Sequence, residues 1–391
     1  MRVAIVGAGI GGLATALALA GRGHEITVYE RRTGFGELGA GIQLSPNATH
    51  VLAGFGLGPA LARMATEPER VRIRSLRSGR EIGEVALGAA ARERFGAPFL
   101  AVARAHLHTA LLDAVRGRPE IRLRVGRSLV RIDEREAEAD LAFETESGGR
   151  ESATADLAVG ADGLWSRARS AIGDERQPRH AGFAAYRASV PTAELPDSFR
   201  AAEVGLWLGP ARHLVHYPVA GGRSLNVVAL APRADPLEGW SREETPDHVL
   251  QLFAGRGPTE VLKAARAWSA WSLYELPTRR IAGARVALVG DAAHPVLPYL
   301  AQGGSLAVED AAHLAALLAG SRPDVPAALL RYGRERLDRV RRIQAAAQRN
   351  GRAYHAGWPT SLARDLVMRR LGPAGMLARY GWVYGWRLPP A

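Results

Sequence analysis

A glycine-rich turn near the start of the chain constrains the fold more than any other feature. An apolar strand at residues 3–6 leads into Gly-Ala-Gly-Ile-Gly-Gly, then into a helix and a second strand that ends on Glu30. The glycines of this turn are Gly7, Gly9, Gly11 and Gly12. In a G-x-G-x-x-G unit the first glycine makes the turn, the second admits a pyrophosphate and the third lets helix pack on strand. Because Glu30 is placed to bind a ribose hydroxyl, the unit predicts adenine-dinucleotide binding.

A second strand-turn-helix stretch lies far along the chain, at residues 286–317. A short apolar strand runs into Gly290 and Asp291, a proline-stiffened loop follows, and a helix opens at Gly303 and Gly304. The two glycines let backbone approach a planar ligand, and the helix directs its unpaired N–H groups at that ligand. Asp291 is placed to accept hydrogen bonds from a sugar-like chain. Taken alone, the stretch also fits an ordinary strand-loop-helix connection.

A third acid at a strand end occurs in Gly-Ala-Asp-Gly at residues 160–163. Asp162 is a candidate cofactor contact, and we predict that a helix carrying Ser166 and Arg167 follows it. The alternative interpretation is a simple strand-to-helix connection.

Two arginines are candidate contacts for the same cofactor. Arg31 follows Glu30 directly and is placed near adenine or phosphate, although a solvated arginine explains it equally well. Arg104 precedes a predicted helix at residues 105–115, whose start presents the guanidinium to phosphate or ribityl oxygens.

The middle of the chain has a sequence pattern typical of strands rather than of alternating strands and helices. Residues 182–271 contain four strand-like runs bounded by proline and glycine, which predict a mainly antiparallel sheet inserted between dinucleotide-binding segments. Residues 70–85 also alternate like strands. A sheet laid over the cofactor would form the wall of a substrate pocket.

Charge and composition exclude several classes of function. The net charge of +12 comes from arginines spread along the chain, without a recognisable nucleic-acid module, so we expect no nucleic-acid partner. The densest run, residues 331–342, places opposite charges four apart, which is typical of a solvated helix face. Those pairs are Arg331–Glu335, Arg334–Asp338, Glu335–Arg339 and Asp338–Arg342. The positive balance suits anionic small molecules.

Cysteine is absent, which excludes a disulfide scaffold and a thiolate metal site, and we predict no metal. The apolar run at residues 3–21 is interrupted by glycines and followed by an amphipathic strand, so it predicts neither a signal peptide nor a membrane span. We expect a cytoplasmic protein with no membrane partner.

Three separated signatures in this order resemble one family. They are residues 7–12 with Glu30, residues 160–163, and Gly-Asp-Ala-Ala-His-Pro at 290–295. The sequence resembles the single-component FAD-dependent aromatic hydroxylases, the group A flavoprotein monooxygenases with the 4-hydroxybenzoate hydroxylase fold. Residues 185–187, 213–218 and 298–303 look like the salicylate, 3-hydroxybenzoate and 6-hydroxynicotinate hydroxylases.

The resemblance implies an α/β fold: a Rossmann-like FAD-binding domain, an inserted mainly antiparallel β-sheet substrate domain, and C-terminal helices. We place the first part of the FAD-binding domain at residues 1–175, the substrate domain at 176–275, and the return with C-terminal helices at 276–391. FAD would have its adenosine end at Gly12, Glu30 and Arg31, its middle at Arg104, Leu129 and Asp291, and its ring at Gly303 and Gly304.

The implied reaction uses NADH or NADPH and O2 to hydroxylate a small phenolic or hydroxylated heteroaromatic acid through a flavin C4a-hydroperoxide. A base near the substrate hydroxyl speeds the transfer, because a phenolate is the better nucleophile. We predict His213 as this base and Tyr217 as a second catalytic residue, since strand alternation puts both on one face and His216 on the other. A structural histidine at a sheet edge is the alternative for His213.

Candidate substrate contacts are Asn47, Gln302, the carbonyl of Pro298, and Arg187 as the anchor of a substrate carboxylate. Backbone positioning for the first three, and a buried structural role for Arg187, are the alternatives. Asn47 ends a glycine-rich loop, residues 39–47, that we expect to pass close to a ligand.

Two other functions remain open. One is a monooxygenase of the same fold acting on a larger natural-product intermediate, and the other is a non-catalytic dinucleotide-binding protein. The aromatic C-terminus, residues 380–386, is predicted to pack against the cofactor domain or against the second chain of a homodimer.

Overall fold

The computed structural model describes residues 1–36, 41–239, 241–320 and 323–388, so residues 39 and 40 of the glycine-rich loop lie outside the described part. Its strands are β1 (Arg2–Val6), β2 (Glu25–Glu30), β3 (Gly41–Leu44), β4 (Arg70–Ser75), β5 (Glu81–Ala86), β6 (Leu100–Ala103), β7 (Ile121–Val125), β8 (Arg127–Glu134), β9 (Ala139–Thr145), β10 (Arg150–Ala155), β11 (Leu157–Gly160), β12 (Arg179–Pro191), β13 (Glu203–Gly209), β14 (Arg212–Val219), β15 (Ser224–Pro232), β16 (Arg242–Glu244), β17 (Trp268–Glu275) and β18 (Val286–Leu288).

Its helices are α1 (Ile10–Leu19), α2 (Pro46–Gly54), α3 (Gly58–Met64), α4 (Gly88–Phe95), α5 (Arg104–Arg116), α6 (Pro246–Leu252), α7 (Thr259–Ala264), α8 (Gly303–Leu317), α9 (Val325–Tyr354), α10 (Thr360–Arg379) and α11 (Gly381–Tyr384). Short 3-10 turns occur at Ala168–Ile172, Thr192–Glu194, Asp197–Phe199, Gly290–Ala292 and Pro298–Leu300.

A parallel sheet carries the three sequence signatures. Its strand order is β18-β11-β1-β2-β7, and every neighbouring pair is parallel. The continuous apolar run of β1 is buried, as expected for a strand covered on both faces. Because β1, β11 and β18 are neighbours and run the same way, the loops that leave their carboxyl ends meet at one edge, where α/β sheets bind ligands.

The predicted inserted sheet is confirmed. It has eight strands in the order β16-β17-β12-β15-β14-β13-β4-β5, and each pair is antiparallel except β4 with β13. β4 and β5 come from the alternating stretch predicted at residues 70–85, and β5 ends one residue later. This sheet therefore takes two strands from the first of the three predicted segments.

The C-terminal helices pack on the rest of the fold, α9 against α8 and α10 against β5. Asp324 caps the start of α9, where its side chain accepts the Ala327 N–H at 3.1 Å, and a proline fills the first turn. Buried residues recur along α9 at helical spacing, so one face packs against α8 and the turn at residues 298–300. Trp386 packs against the core of the parallel-sheet region, as predicted for the aromatic C-terminus. None of the helices described combines the length and the apolar character that crossing a membrane requires.

Candidate active site

The first glycine turn contacts both of the other signatures. A Cβ on Gly7, whose φ is +105°, would lie 2.4 Å from the Ala161 carbonyl oxygen. A Cβ on Gly12 would lie 1.9 Å from the carbonyl oxygen of Gly7, so helix and strand approach closely there. A Cβ on Gly11 would lie 4.0 Å from the Cα of Gly290. The three loops therefore converge, as the sequence predicts.

Room for a diphosphate lies at the N-terminus of α1. A Cβ on Gly9 would meet no atom within 4 Å. Among the described residues no side chain caps this helix and no acid lies in its first turn, so its N–H groups stay available for an anion. Glu30 sits beside them, because its carboxylate accepts the Ala8 N–H at 2.9 Å and the Arg32 N–H at 3.0 Å. The residues present fit the diphosphate and ribose of an adenine dinucleotide.

The prediction of a helix that carries Ser166 and Arg167 is wrong. The Asp162 carboxylate accepts hydrogen bonds from the hydroxyl of Ser166 at 2.6 Å and from the N–H of Arg167 at 2.8 Å, which holds a turn instead. Only a 3-10 turn follows, at Ala168–Ile172. The Arg167 guanidinium then donates to the carbonyl of Leu129 at 2.9 Å, which places both predicted contacts, Asp162 and Leu129, around this turn.

The N-terminus of α8 forms a second ligand cradle. A Cβ on Gly303 would lie 3.9 Å from Oδ1 of Asp291, so this exposed carboxylate flanks the first turn of the helix. A Cβ on Gly304 would lie 2.6 Å from Cδ1 of Ile42, which brings β3 against the same turn. Within the described chain this helix also has neither a capping side chain nor an early acid. The cradle suits the planar ring that the resemblance places there.

The two candidate cofactor arginines have different surroundings. Arg31 is exposed beside Glu30. Arg104 opens α5, and its charge contributes to lowering the pKa of Arg187 on the inserted sheet.

Asn47 and Gln302 are joined to each other in a buried network. The side-chain N–H of Asn47 donates to Oε1 of Gln302 at 3.1 Å and to Oε1 of Glu309 at 2.5 Å. Gln302 donates in turn to the hydroxyl of Ser45 at 2.8 Å. The structure therefore places both predicted substrate contacts beneath the start of α8, where they tie α2 to it.

Four ionisable side chains, Glu309, Asp310, His294 and Arg336, form the part of this network behind Asp291. Asp310 accepts the Gly290 N–H at 2.9 Å, Nε2 of His294 at 2.5 Å and the guanidinium of Arg336 at 2.8 Å. Arg336 also donates to Glu309 at 2.8 Å. Burial raises the pKa of Asp310, but its interactions with His294, Arg336 and the Gly290 N–H outweigh this and bring that pKa to about 2. The ionised carboxylate fixes the loop that carries Asp291.

One face of the inserted sheet carries both predicted catalytic residues and Arg187, one of the predicted substrate contacts. His213 pairs with Leu230, Tyr217 with Asn226 and Arg187 with Val228, and directly paired residues share a face. His213, Tyr217 and Arg187 therefore lie on one face of the sheet, called the wall below. The alternation along β14 predicts this for His213 and Tyr217. His216 lies on the opposite face, 5.4 Å from the Phe199 ring centroid.

Tyr217 lies next to the strand that reaches the α8 cradle. A Cβ on Gly41 would lie 2.6 Å from Cε2 of Tyr217, and the Gly41 N–H donates to Asn226 at 2.6 Å. Because Gly41 and Ile42 are neighbours in β3, the wall and the cradle adjoin. Burial raises the pKa of Tyr217, and the charge of Arg187 only partly offsets this.

The side chain of His213, on β14, packs against the turn at residues 298–300. Its ring centroid is 5.5 Å from those of Tyr299 and Tyr354, and its Nδ1 is 2.8 Å from Nε2 of His355. Burial, with a smaller contribution from His355, lowers the pKa of His213 to about 3. The imidazole is therefore neutral at physiological pH, and one of its ring nitrogens carries a free lone pair.

Three aromatic neighbours of His213 were not predicted, namely Tyr299, Tyr354 and His355. Tyr299 follows Pro298, the predicted substrate contact. Pro298 is exposed and begins the turn, and its carbonyl accepts the Ala301 N–H at 3.1 Å. Tyr354 is the last residue of α9 and His355 follows it, and nothing local in the sequence relates them to β14. Among the described residues no group of three or more histidine, aspartate or glutamate side chains is placed to hold a metal.

Comparison with known proteins agrees with this geometry. Residues 1–347 match the FAD binding domain family. The chain is 35% identical to a 3-hydroxybenzoate 6-hydroxylase of Klebsiella oxytoca over 99% of this chain and 97% of the relative. It is 36% identical to a 3-amino-4-hydroxybenzoate 2-monooxygenase of Streptomyces platensis, over 100% and 97%. The crystal structure of Klebsiella pneumoniae HpxO with FAD and uric acid superposes with a TM-score of 0.84 at 28% identity, covering 97% of this chain and 95% of that one.

Proposed function

Because the chain belongs to the FAD binding domain family of flavin-dependent aromatic hydroxylases, we propose that it hydroxylates the ring of a hydroxybenzoate or a similar hydroxylated aromatic acid. The protein is an FAD-dependent monooxygenase, and its family typically uses NAD(P)H and O2. The observation that carries the substrate class is the wall formed by His213, Tyr217 and Arg187 beside the α8 cradle.

FAD, when bound, supplies the oxygen-activating chemistry, and the chain holds and orients it. The N-terminus of α1 would hold the diphosphate, Glu30 a ribose hydroxyl, and Asp291 the ribityl chain. The N-terminus of α8 would stabilise negative charge on the ring, because its unpaired N–H groups point there. The apolar neighbours Ile42, Val215 and Tyr299 would exclude water from the reacting face.

His213 would take the proton of the substrate hydroxyl at Nε2. Its Nδ1 is engaged with His355, which leaves Nε2 as the nitrogen for the substrate. A phenol that loses its proton becomes a far better nucleophile at the ring, so this transfer activates the substrate for oxygen transfer.

Arg187 would bind the substrate carboxylate. Its Nε is buried and has no hydrogen-bond partner within the described residues, and the guanidinium lies 5.0 Å above the Trp271 ring. Burial lowers the pKa of Arg187, and the charge of Arg104 lowers it further. A guanidinium whose buried Nε lacks a hydrogen-bond partner is stabilised by a bound anion, and the carboxylate of a benzoate is such an anion.

Replacing this arginine tests the carboxylate. We expect Arg187→Gln to raise the KM for a hydroxybenzoate about 10- to 100-fold, the loss of one charged hydrogen bond, and to leave the KM for the corresponding phenol nearly unchanged. Steady-state NADH oxidation measures both constants. Arg179→Gln, on the exposed end of the same strand, is the control and should change neither. An equal rise for acid and phenol would contradict the assignment.

A methyl group in the diphosphate cradle tests the cofactor placement. Gly9 has extended backbone and empty surroundings, so Gly9→Ala should fold normally yet weaken FAD binding at least about tenfold, because the methyl occupies the diphosphate's place. Flavin fluorescence titration of the apoprotein gives the Kd. Gly54→Ala, which also meets no atom within 4 Å, is the matched control. Equal FAD affinity in the two variants would place the diphosphate elsewhere.

The proposed function is tested with a panel of aromatic acids. We expect hydroxybenzoates to stimulate NADH or NADPH oxidation and to gain one oxygen atom by mass spectrometry, and larger natural-product phenols to do so less. Flavin retention without substrate-stimulated oxygen consumption would favour the non-catalytic alternative. We also propose a cytoplasmic location, where NAD(P)H is available, and the homodimer stays a prediction.

A further inference from the structure

The buried base has a second histidine behind it. His355 is the first residue after α9, and its Nε2 lies 2.8 Å from Nδ1 of His213. His213 is 3% exposed, whereas His355 is partly exposed. The two imidazoles therefore form a continuous line of ring nitrogens from the substrate wall towards solvent.

His355 is held in place by three other elements. Its ring stacks on Phe183 of β12 at 4.8 Å and 25°, and meets the edge of Tyr299 at 5.5 Å and 86°. Its carbonyl accepts the N–H of Ala211, in the turn between β13 and β14, at 3.1 Å. This packing fixes the ring in the orientation in which Nε2 faces His213.

We propose that His355 relays the proton of the substrate hydroxyl from His213 to solvent, an inference that rests on the proposed base role of His213. The substrate O–H bond breaks as its proton binds Nε2 of His213. The Nδ1 proton of His213 moves to Nε2 of His355, and the Nδ1 proton of His355 passes to water. Both rings stay neutral with exchanged tautomers, and the reverse transfer onto the product oxygen restores them.

The surroundings require such a path. An imidazolium at His213 would be a buried cation, and the pKa of His213 is lowered to about 3 and that of His355 to about 4, chiefly by burial. Within the described ranges, the ionisable side chains in ring contact with the pair are Tyr299 and Tyr354. Burial raises the pKa of Tyr299 to about 12 and also raises that of Tyr354, so neither supplies a counter-anion. A base that cannot keep the proton as a cation must pass it on.

Two variants of the relay residue test the proposal in the FAD-loaded enzyme. We expect His355→Ala to lower kcat about 10- to 100-fold with little change in KM, and added imidazole to restore the rate through the vacated, solvent-facing site. His355→Gln keeps a hydrogen bond to His213 but cannot transfer a proton. It should therefore match the wild-type unfolding temperature, lose a similar factor in kcat, and show no rescue.

The results of these experiments distinguish a failure of the His355 relay from a failure of the proposed hydroxylation. Wild-type turnover in both His355 variants, with His213→Ala impaired, overturns the relay and leaves the base role standing. Full activity in His355→Gln with an unrescued loss in His355→Ala shows a structural role and also overturns it. If the wild-type enzyme hydroxylates no aromatic acid, the proposed function itself fails, and the relay fails with it.

Discussion

His213→Ala is expected to lower the rate of ring hydroxylation by about a hundred- to ten-thousand-fold, the usual contribution of a general base, while FAD binding stays unchanged. Alanine leaves no proton acceptor at this point of the wall. Tyr217 cannot substitute, because burial raises its pKa and keeps it protonated. Rapid mixing of reduced enzyme with oxygen and substrate, followed by product quantification, measures the loss directly.

The matched control lies three residues along the same strand. His216 is also buried, but its ring packs between Phe199 and Trp207 on the other face of the sheet. His216→Ala should therefore lower the unfolding temperature through a cavity and leave hydroxylation per folded molecule intact. An unchanged product yield per NADH in His213→Ala would dismiss His213 as the base.

Features with a short sequence period were predictable. The glycine spacing predicts the turn, because neighbouring backbone approaches so closely at Gly7 and Gly12 that a Cβ at either position would clash with it. The period of two along β14 is enough to separate His213 from His216, since alternate residues of a strand face opposite sides. The inserted sheet was predictable for the same reason.

Features that depend on distant parts of the chain were not predictable. The charge pattern of residues 331–342 predicts four exposed ion pairs, and Arg331–Glu335 forms at 2.6 Å. The predicted Glu335–Arg339 pair is wrong, because Arg339 binds Glu309 at 2.5 Å and Glu335 accepts from His313 at 2.8 Å. A local pattern cannot show that α8 places a carboxylate against this helix. The contact of His355 with His213 was hidden for the same reason.

Arg336→Met is expected to lower the free energy of unfolding by about 3–5 kcal/mol, because it leaves Glu309 and Asp310 buried with less compensating charge. Arg336 is 1% exposed and binds both carboxylates at 2.8 Å. Urea unfolding at pH 7 measures the loss. Arg331→Met, which breaks an exposed pair on the same helix, is the control and should change stability by less than about 1 kcal/mol.

The pH dependence of this deficit identifies its cause. In the wild type the pKa of Asp310 is about 2, below the ordinary value of 3.8, so its stabilisation is complete above pH 3.8 and is lost as the pH falls towards 2. In Arg336→Met the carboxylate lacks that compensation and protonates more readily, so the difference between the two proteins should shrink below about pH 4. A deficit that stays constant down to pH 3 would indicate lost packing rather than an unpaired charge. FAD affinity should fall together with stability at pH 7, because Asp310 holds the N–H of Gly290 and thereby the Asp291 loop.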